Sequence, residues 1–108
     1  MGFVRACAVN DVADGQALRV EVDGLDVAIV RQGEDLYAIE DECSHAQVAL
    51  SEGDIEGCEI ECWMHGSRFD LRTGKPIGPP ATEPVPIFPV RTDGADVLVD
   101  IDSPLNAG

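Results

Sequence analysis

The sequence predicts an all-β chain, an antiparallel β-sandwich or small barrel interrupted by one loop-rich insertion. Three observations carry that expectation. Short apolar and β-branched runs recur along the chain, turn signals separate them, and no stretch holds the 3.6-residue period of a long amphipathic helix. Strands at such short spacing suit antiparallel sandwiches and small barrels.

Taken in order, the predicted strands are Phe3 to Val9, Ala17 to Val22, Leu25 to Arg31, Leu36 to Glu40, Cys58 to Cys62, Val85 to Arg91 and Val97 to Ile101. Asp23-Gly24 separates the second and third runs by two residues, a strong hairpin signal because both positions of a type I′ turn need positive φ. Asp93-Gly94 is given a similar part before the last strand, and Gln32-Gly33-Glu34 and Thr73-Gly74 mark two further reversals. The stretch from Glu40 to Ala81 breaks this rhythm, with frequent glycine and both histidines of the chain. It reads as a loop-rich subdomain, about residues 41–81, inserted in a single domain spanning residues 1–108. The tail from Ser103 to Gly108 reads as a frayed end.

A chain of 108 residues with 44% hydrophobic content is globular and buries a modest core. Seven basic against 21 acidic residues give a formal charge of −14, which repels nucleic acid and anionic membranes and favours a basic docking surface. The N-terminus shows no basic segment followed by a long apolar stretch, and the uncharged run Pro84 to Val90 is far too short to span a bilayer. A soluble cytoplasmic protein is expected. In that compartment the four cysteines stay reduced, and their number alone fixes no pairing.

The chemistry sits between residues 43 and 81. Cys43-Ser44-His45 is followed by Cys62-Trp63-Met64-His65, so two short loops each supply one thiolate and one imidazole. These donors suit a tetrahedral zinc site or a 2Fe-2S cluster in which two histidines replace two cysteines on one iron. Zinc fingers usually group their two Cys and their two His. One of each per loop suits a two-metal centre better, each loop sending its Cys to the buried iron and its His to the outer one. Cys7 and Cys58 are left as structural thiols, with Cys58 expected in the same strand and on the same face as Cys62.

Cys43-x-His45 and Cys62-x2-His65-Gly66 resemble the two cluster-binding boxes of Rieske iron-sulfur proteins. Phe69-Asp70-x3-Gly74 and Gly78-Pro79-Pro80-Ala81 resemble the family's following strand and its proline loop, so the likeness spans nearly the whole chain. The resemblance implies a Rieske fold holding one 2Fe-2S cluster on Cys43, His45, Cys62 and His65, with the two histidines as the electron exit. It places Trp63 and Met64 beside the ligands as a shield against water, Gly66 within the second box, and Pro79 and Pro80 over another side. Core packing explains Trp63 equally well. Ser67 is assigned a hydrogen bond to a cluster sulfur, with a plain turn role as the alternative.

Among Rieske proteins the chain resembles the soluble ferredoxin components of aromatic-ring-hydroxylating dioxygenase systems. A long catalytic domain would be expected of an oxygenase subunit, and a membrane anchor with a second Cys in each box of a respiratory subunit; those Cys positions hold Val48 and Met64. High-potential members resemble one another in that inter-loop disulfide, in a Ser two residues after the second His and in a Tyr two residues beyond it. Here Ser67 is kept and the Tyr position is Phe69, which has no hydroxyl to donate. A potential near the low end of the range of about −150 to +300 mV is therefore expected. The implied role is a non-catalytic, monomeric one-electron carrier between a flavin-dependent ferredoxin reductase and a terminal oxygenase. The alternatives are an accessory protein of an iron-sulfur assembly system, a zinc-stabilised interaction module, and a small subunit of a nitrite-reductase-like enzyme.

Overall fold

The computed structural model describes residues 2–42, 49–63, 66–77 and 83–105. Its strands are β1 (Val4–Ala8), β2 (Ala17–Val22), β3 (Leu25–Gln32), β4 (Asp35–Glu40), β5 (Ile55–Glu56), β6 (Glu59–Glu61), β7 (Arg68–Asp70), β8 (Pro76–Ile77), β9 (Ile87–Phe88), β10 (Val90–Asp93) and β11 (Asp96–Val99). Among the described residues all strand pairs are antiparallel. They form three sheets in the orders β1-β11-β10, β2-β3-β4-β9 and β5-β6-β7-β8. The expected all-β class is what the structure has. Among the described residues no helix is long and apolar enough to cross a membrane.

The middle sheet organises the molecule. Val27, Ala28, Ile29 and Val30 of β3 are all buried, and because successive side chains of a strand point to opposite faces, both faces of this sheet must be covered. Val27 and Ile29 pack with Cys7, Phe88, Val97 and Val99 against the β1-β11-β10 sheet. Ala28 and Val30 pack on the other side with Leu50, Ile60, Cys62, Phe69 and Leu71, beneath the β5-β8 sheet. The second of these cores carries the candidate site.

Local chemistry explains most element ends. Asp23 and Gly24 both have positive φ, at 50° and 85°, and link Val22 to Leu25 as the two-residue turn requires. At the last hairpin the pairing of Asp93 with Asp96 moves the turn one residue on from the expected Asp93-Gly94. Gly94 and Ala95 make it, with Gly94 at φ 62°. The expected strand from Val85 to Arg91 is broken at Pro89. Proline offers no N–H to a ladder, and there the chain leaves β4's partner β9 and enters β10 beside β11. The expected strand from Cys58 to Cys62 shrinks to Glu59–Glu61, because Gly57, at φ 61°, and Cys58 form the turn from β5.

Candidate metal centre

The second ligand box grows out of the β6-β7 hairpin. Ile60 pairs with Phe69 and Glu61 with Arg68, which leaves Cys62 and Ser67 at the end of the ladder. The Cys62 N–H donates to the Ser67 carbonyl at 2.6 Å, and the Gly66 N–H donates to the Cys62 carbonyl at 2.9 Å. Gly66 adopts φ 74°, a left-handed conformation that a side chain would strain. Cys62 is 0% exposed and belongs to the core made by Leu50, Ile60, Phe69 and Leu71. Its sulfur is therefore rooted in packed hydrocarbon, on a loop whose two ends are fastened together.

Ser67 is fully buried directly after this loop, and Phe69 two residues on is also fully buried and brings no hydroxyl. Trp63 is 51% exposed, which removes core packing as its explanation. Cys43, His45, Val48, Met64, His65, Pro79 and Pro80 lie outside the described residues. Of the four expected ligands, Cys62 is thus the one whose surroundings are described, and the described residues contain no group of three metal-binding side chains. The fit to a mixed thiolate-imidazole cluster rests on two observations. The sequence presents Cys and His in each box, and the described Cys is desolvated, which suits a thiolate ligand shielded from water.

Cys7 and Cys58 are free. Cys7 is buried between the middle and outer sheets, where desolvation pushes its thiol pKa up. Cys58 differs from expectation. It is half-buried in the turn before β6, and its Sγ lies 3.6 Å from the Tyr37 hydroxyl. That contact, helped by desolvation, raises the Tyr37 pKa to about 12.

Around the site the structure adds residues that the sequence pattern did not single out. Arg68 lies 3.5 Å from Glu56, 3.5 Å from Glu59 and 3.6 Å from Glu61, so one cation serves an acidic outer face on the β5-β8 sheet. The carboxylates, Glu56 foremost, raise the pKa of this guanidinium. Asp41, two residues before Cys43, is buried and accepts hydrogen bonds from Ser51. Gly53 lies directly on the backbone of Glu61, where a Cβ would stand 1.6 Å from the Glu61 carbonyl oxygen. No local motif announces either contact, although the glycine itself was visible.

Comparison with known proteins follows the same line. Residues 2–89 match the family model described as Rieske [2Fe-2S] domain. The chain is 43% identical over 101 residues to the biphenyl dioxygenase ferredoxin subunit of Pseudomonas sp. (strain KKS102), covering 93% of each chain. Its structure resembles the ferredoxin of carbazole 1,9a-dioxygenase from Nocardioides aromaticivorans IC177, with a TM-score of 0.87, 39% identity, and coverage of 92% of this chain and 97% of that one. A ferredoxin structure described as a complex of reduced oxygenase and oxidized ferredoxin in carbazole 1,9a-dioxygenase matches with a TM-score of 0.84 and 38% identity, over 90% of this chain and 91% of that one.

Proposed function

The chain belongs to the Rieske [2Fe-2S] domain family, and from that premise we propose that it is the cytoplasmic, monomeric ferredoxin component of a ring-hydroxylating dioxygenase system. It takes one electron at a time from a flavin-dependent reductase and delivers it to a terminal oxygenase. The observation that carries this reading is the near full-length likeness to ferredoxin subunits of dioxygenases, one of them seen together with its oxygenase. These relatives are electron-transfer components, and the chain has no catalysis of its own.

When bound, the Rieske-type cluster supplies a one-electron couple. Cys43 and Cys62 would hold one iron as thiolates, and His45 and His65 would hold the other as imidazoles and form the electron exit, within an inserted unit of about residues 41–81. Burial of Cys62 supports this polarity, because a thiolate anchored in the core keeps water from its side of the centre. Exposed Trp63, two residues before His65 in sequence, supports a docking edge there, and Met64, Pro79 and Pro80 would cover the cluster as the family resemblance implies. Buried Ser67 would offer its hydroxyl to a cluster sulfur. Phe69 donates nothing, and Val48 and Met64 form no disulfide, which together hold the potential at the low end of the Rieske range. The charge of −14 steers encounter with basic partner surfaces.

Purified holoprotein tests this directly. Two irons per chain, no zinc, a reduced EPR signal of mixed His/Cys ligation, and reduction by a flavin reductase that then drives an oxygenase are the expected results. A colourless zinc protein, or an all-thiolate EPR signal, overturns the assignment.

A further inference from the structure

The first ligand box is carried by residues 43–48, and the two described segments on either side of it are joined by a buried contact. The Asp41 side chain is 0% exposed. One of its carboxylate oxygens accepts the Ser51 backbone N–H at 2.6 Å, and the other accepts the Ser51 hydroxyl at 2.6 Å. Arg19 Nε lies 3.6 Å from the second oxygen, and the same guanidinium pairs with Asp26 at 2.5 Å. The Asp41 N–H in turn donates to the Asp26 carbonyl at 2.9 Å, tying this residue to the start of β3. A carboxylate taken out of water is costly unless its oxygens are satisfied. Here a bidentate grip by one serine and a nearby cation satisfy them.

The consequence is geometric. Asp41 and Ser51 are ten residues apart in sequence and in direct contact in space, so the intervening chain leaves and returns at one point. Leu50, next to Ser51, is fully buried in the core that also holds Cys62. The return point is thereby fixed relative to the second ligand box.

We propose that Asp41 and Ser51 are positioning residues for the iron-sulfur centre, a latch that pins the two chain segments flanking the first ligand box to each other and to the core that holds Cys62. The proposal rests on the reading of Cys43, His45, Cys62 and His65 as ligands. The latch touches no iron; it acts by fixing the points where the chain enters and leaves the first ligand box, and so governs how fast the cluster is lost.

The test uses holoprotein and follows the visible absorbance in excess iron chelator. Ser51→Ala should release iron on the order of ten- to a hundredfold faster than wild type, the loss expected of one hydrogen bond to a charged acceptor. Ser51→Thr, which keeps the hydroxyl, should restore the slow rate. Val97→Ala in β11 provides the comparison, since it removes buried methyls from the far core and leaves the latch intact. If Val97→Ala with an equal drop in melting temperature releases iron as fast as Ser51→Ala, the contact is merely structural and the proposal falls. It also falls if Ser51→Ala releases iron at the wild-type rate. Asp41→Asn should act like Ser51→Ala, and if it fails to fold the serine pair still decides. Iron content and EPR of the wild type separate the premises: a normal mixed-ligand cluster with unaltered release in Ser51→Ala overturns the latch alone, whereas a wild type without such a cluster overturns the ligand assignment and the latch with it.

Discussion

Gly53→Ala is a sharp probe of how the two ligand boxes are held together. Gly53 has φ −88° and ψ −177°, an extended conformation open to alanine, so backbone torsion does not explain the glycine. Contact does. An added Cβ would meet the Glu61 carbonyl oxygen at 1.6 Å and the Glu61 carbonyl carbon at 2.9 Å, and the oxygen must retreat to at least 3.0 Å, a shift of 1.4 Å. Those atoms are backbone immediately before Cys62, and no rotamer change relieves them. The shift also breaks the bond from the Glu61 N–H to the Asp54 carbonyl, now 2.8 Å. Overpacking of this kind costs about 1–3 kcal/mol and the lost hydrogen bond about 1 kcal/mol. The lower unfolded-state entropy of alanine offsets about 0.4–1 kcal/mol. The net loss, about 1–3.6 kcal/mol, corresponds to a melting temperature lower by about 4–29 °C in a domain of this size. Calorimetry of the holoprotein measures it, with Gly57→Ala as control: Gly57 is at φ 61° with nothing within 4 Å of its Cβ position, so it should lose only the strain of about 1–2 kcal/mol. A Gly53→Ala protein melting within 2 °C of wild type would refute the close approach of the two segments, on a scale of roughly 4–8 °C per kcal/mol.

The remaining predictions concern titration, potential and docking. Tyr37 is the single tyrosine of the chain, so its ionisation is read cleanly by ultraviolet absorbance; the midpoint should lie near 12 and fall toward the ordinary value of 10.0 in Cys58→Ala. The raised pKa means the folded state favours the neutral phenol. That stability is fully present below pH 10 and is lost as pH rises toward 12, and an unshifted midpoint would refute the contact. Ser67→Ala should lower the reduction potential by about 20–65 mV, one hydrogen bond converted through the one-electron relation; an unchanged voltammogram would leave Ser67 a turn residue. Electron delivery to the oxygenase should slow at least about tenfold between low salt and 0.5 M salt if the charge of −14 steers the encounter. Stopped-flow rates insensitive to salt would remove that role.

What was legible in the sequence follows physical locality. Asp23-Gly24 could be read because its two positive φ values are a requirement of those residues alone. The ligand boxes could be read because donor type and spacing are chemical constraints written in order along the chain. β5 and β8 are two residues each and exist only through their partners, so no periodicity could reveal them. Pro89 was visible, but the apolar run across it hid the change of sheet, which depends on where β4 and β11 lie. The run from Cys58 to Cys62 reads as one strand in the sequence, and the turn at Gly57 overrides that pattern at Cys58. Trp63 shows the limit from the other side, since an aromatic beside a ligand reads equally well as cover or as core until its 51% exposure is known.

Residues such as Asp41, Ser51 and Gly53 escaped because each works through a residue that no local pattern links to it, yet together they explain why the middle sheet matters to the site. β3 is buried on both faces, so it ties the sheet that carries Cys62 to the sheet that carries neither box. The segment from Leu50 to Asp54 then crosses from one ligand box to the other: Leu50 enters the shared core, Ser51 grips Asp41, Gly53 lies on Glu61, and the Asp54 carbonyl accepts the Glu61 N–H. A one-electron carrier gains from such rigidity, because a site whose ligands move little on reduction loses little energy to rearrangement at each transfer. The same strap predicts a division of effects. Substitutions in the β1-β11-β10 core spend stability alone, whereas changes between Asp41 and Asp54 reach the cluster itself.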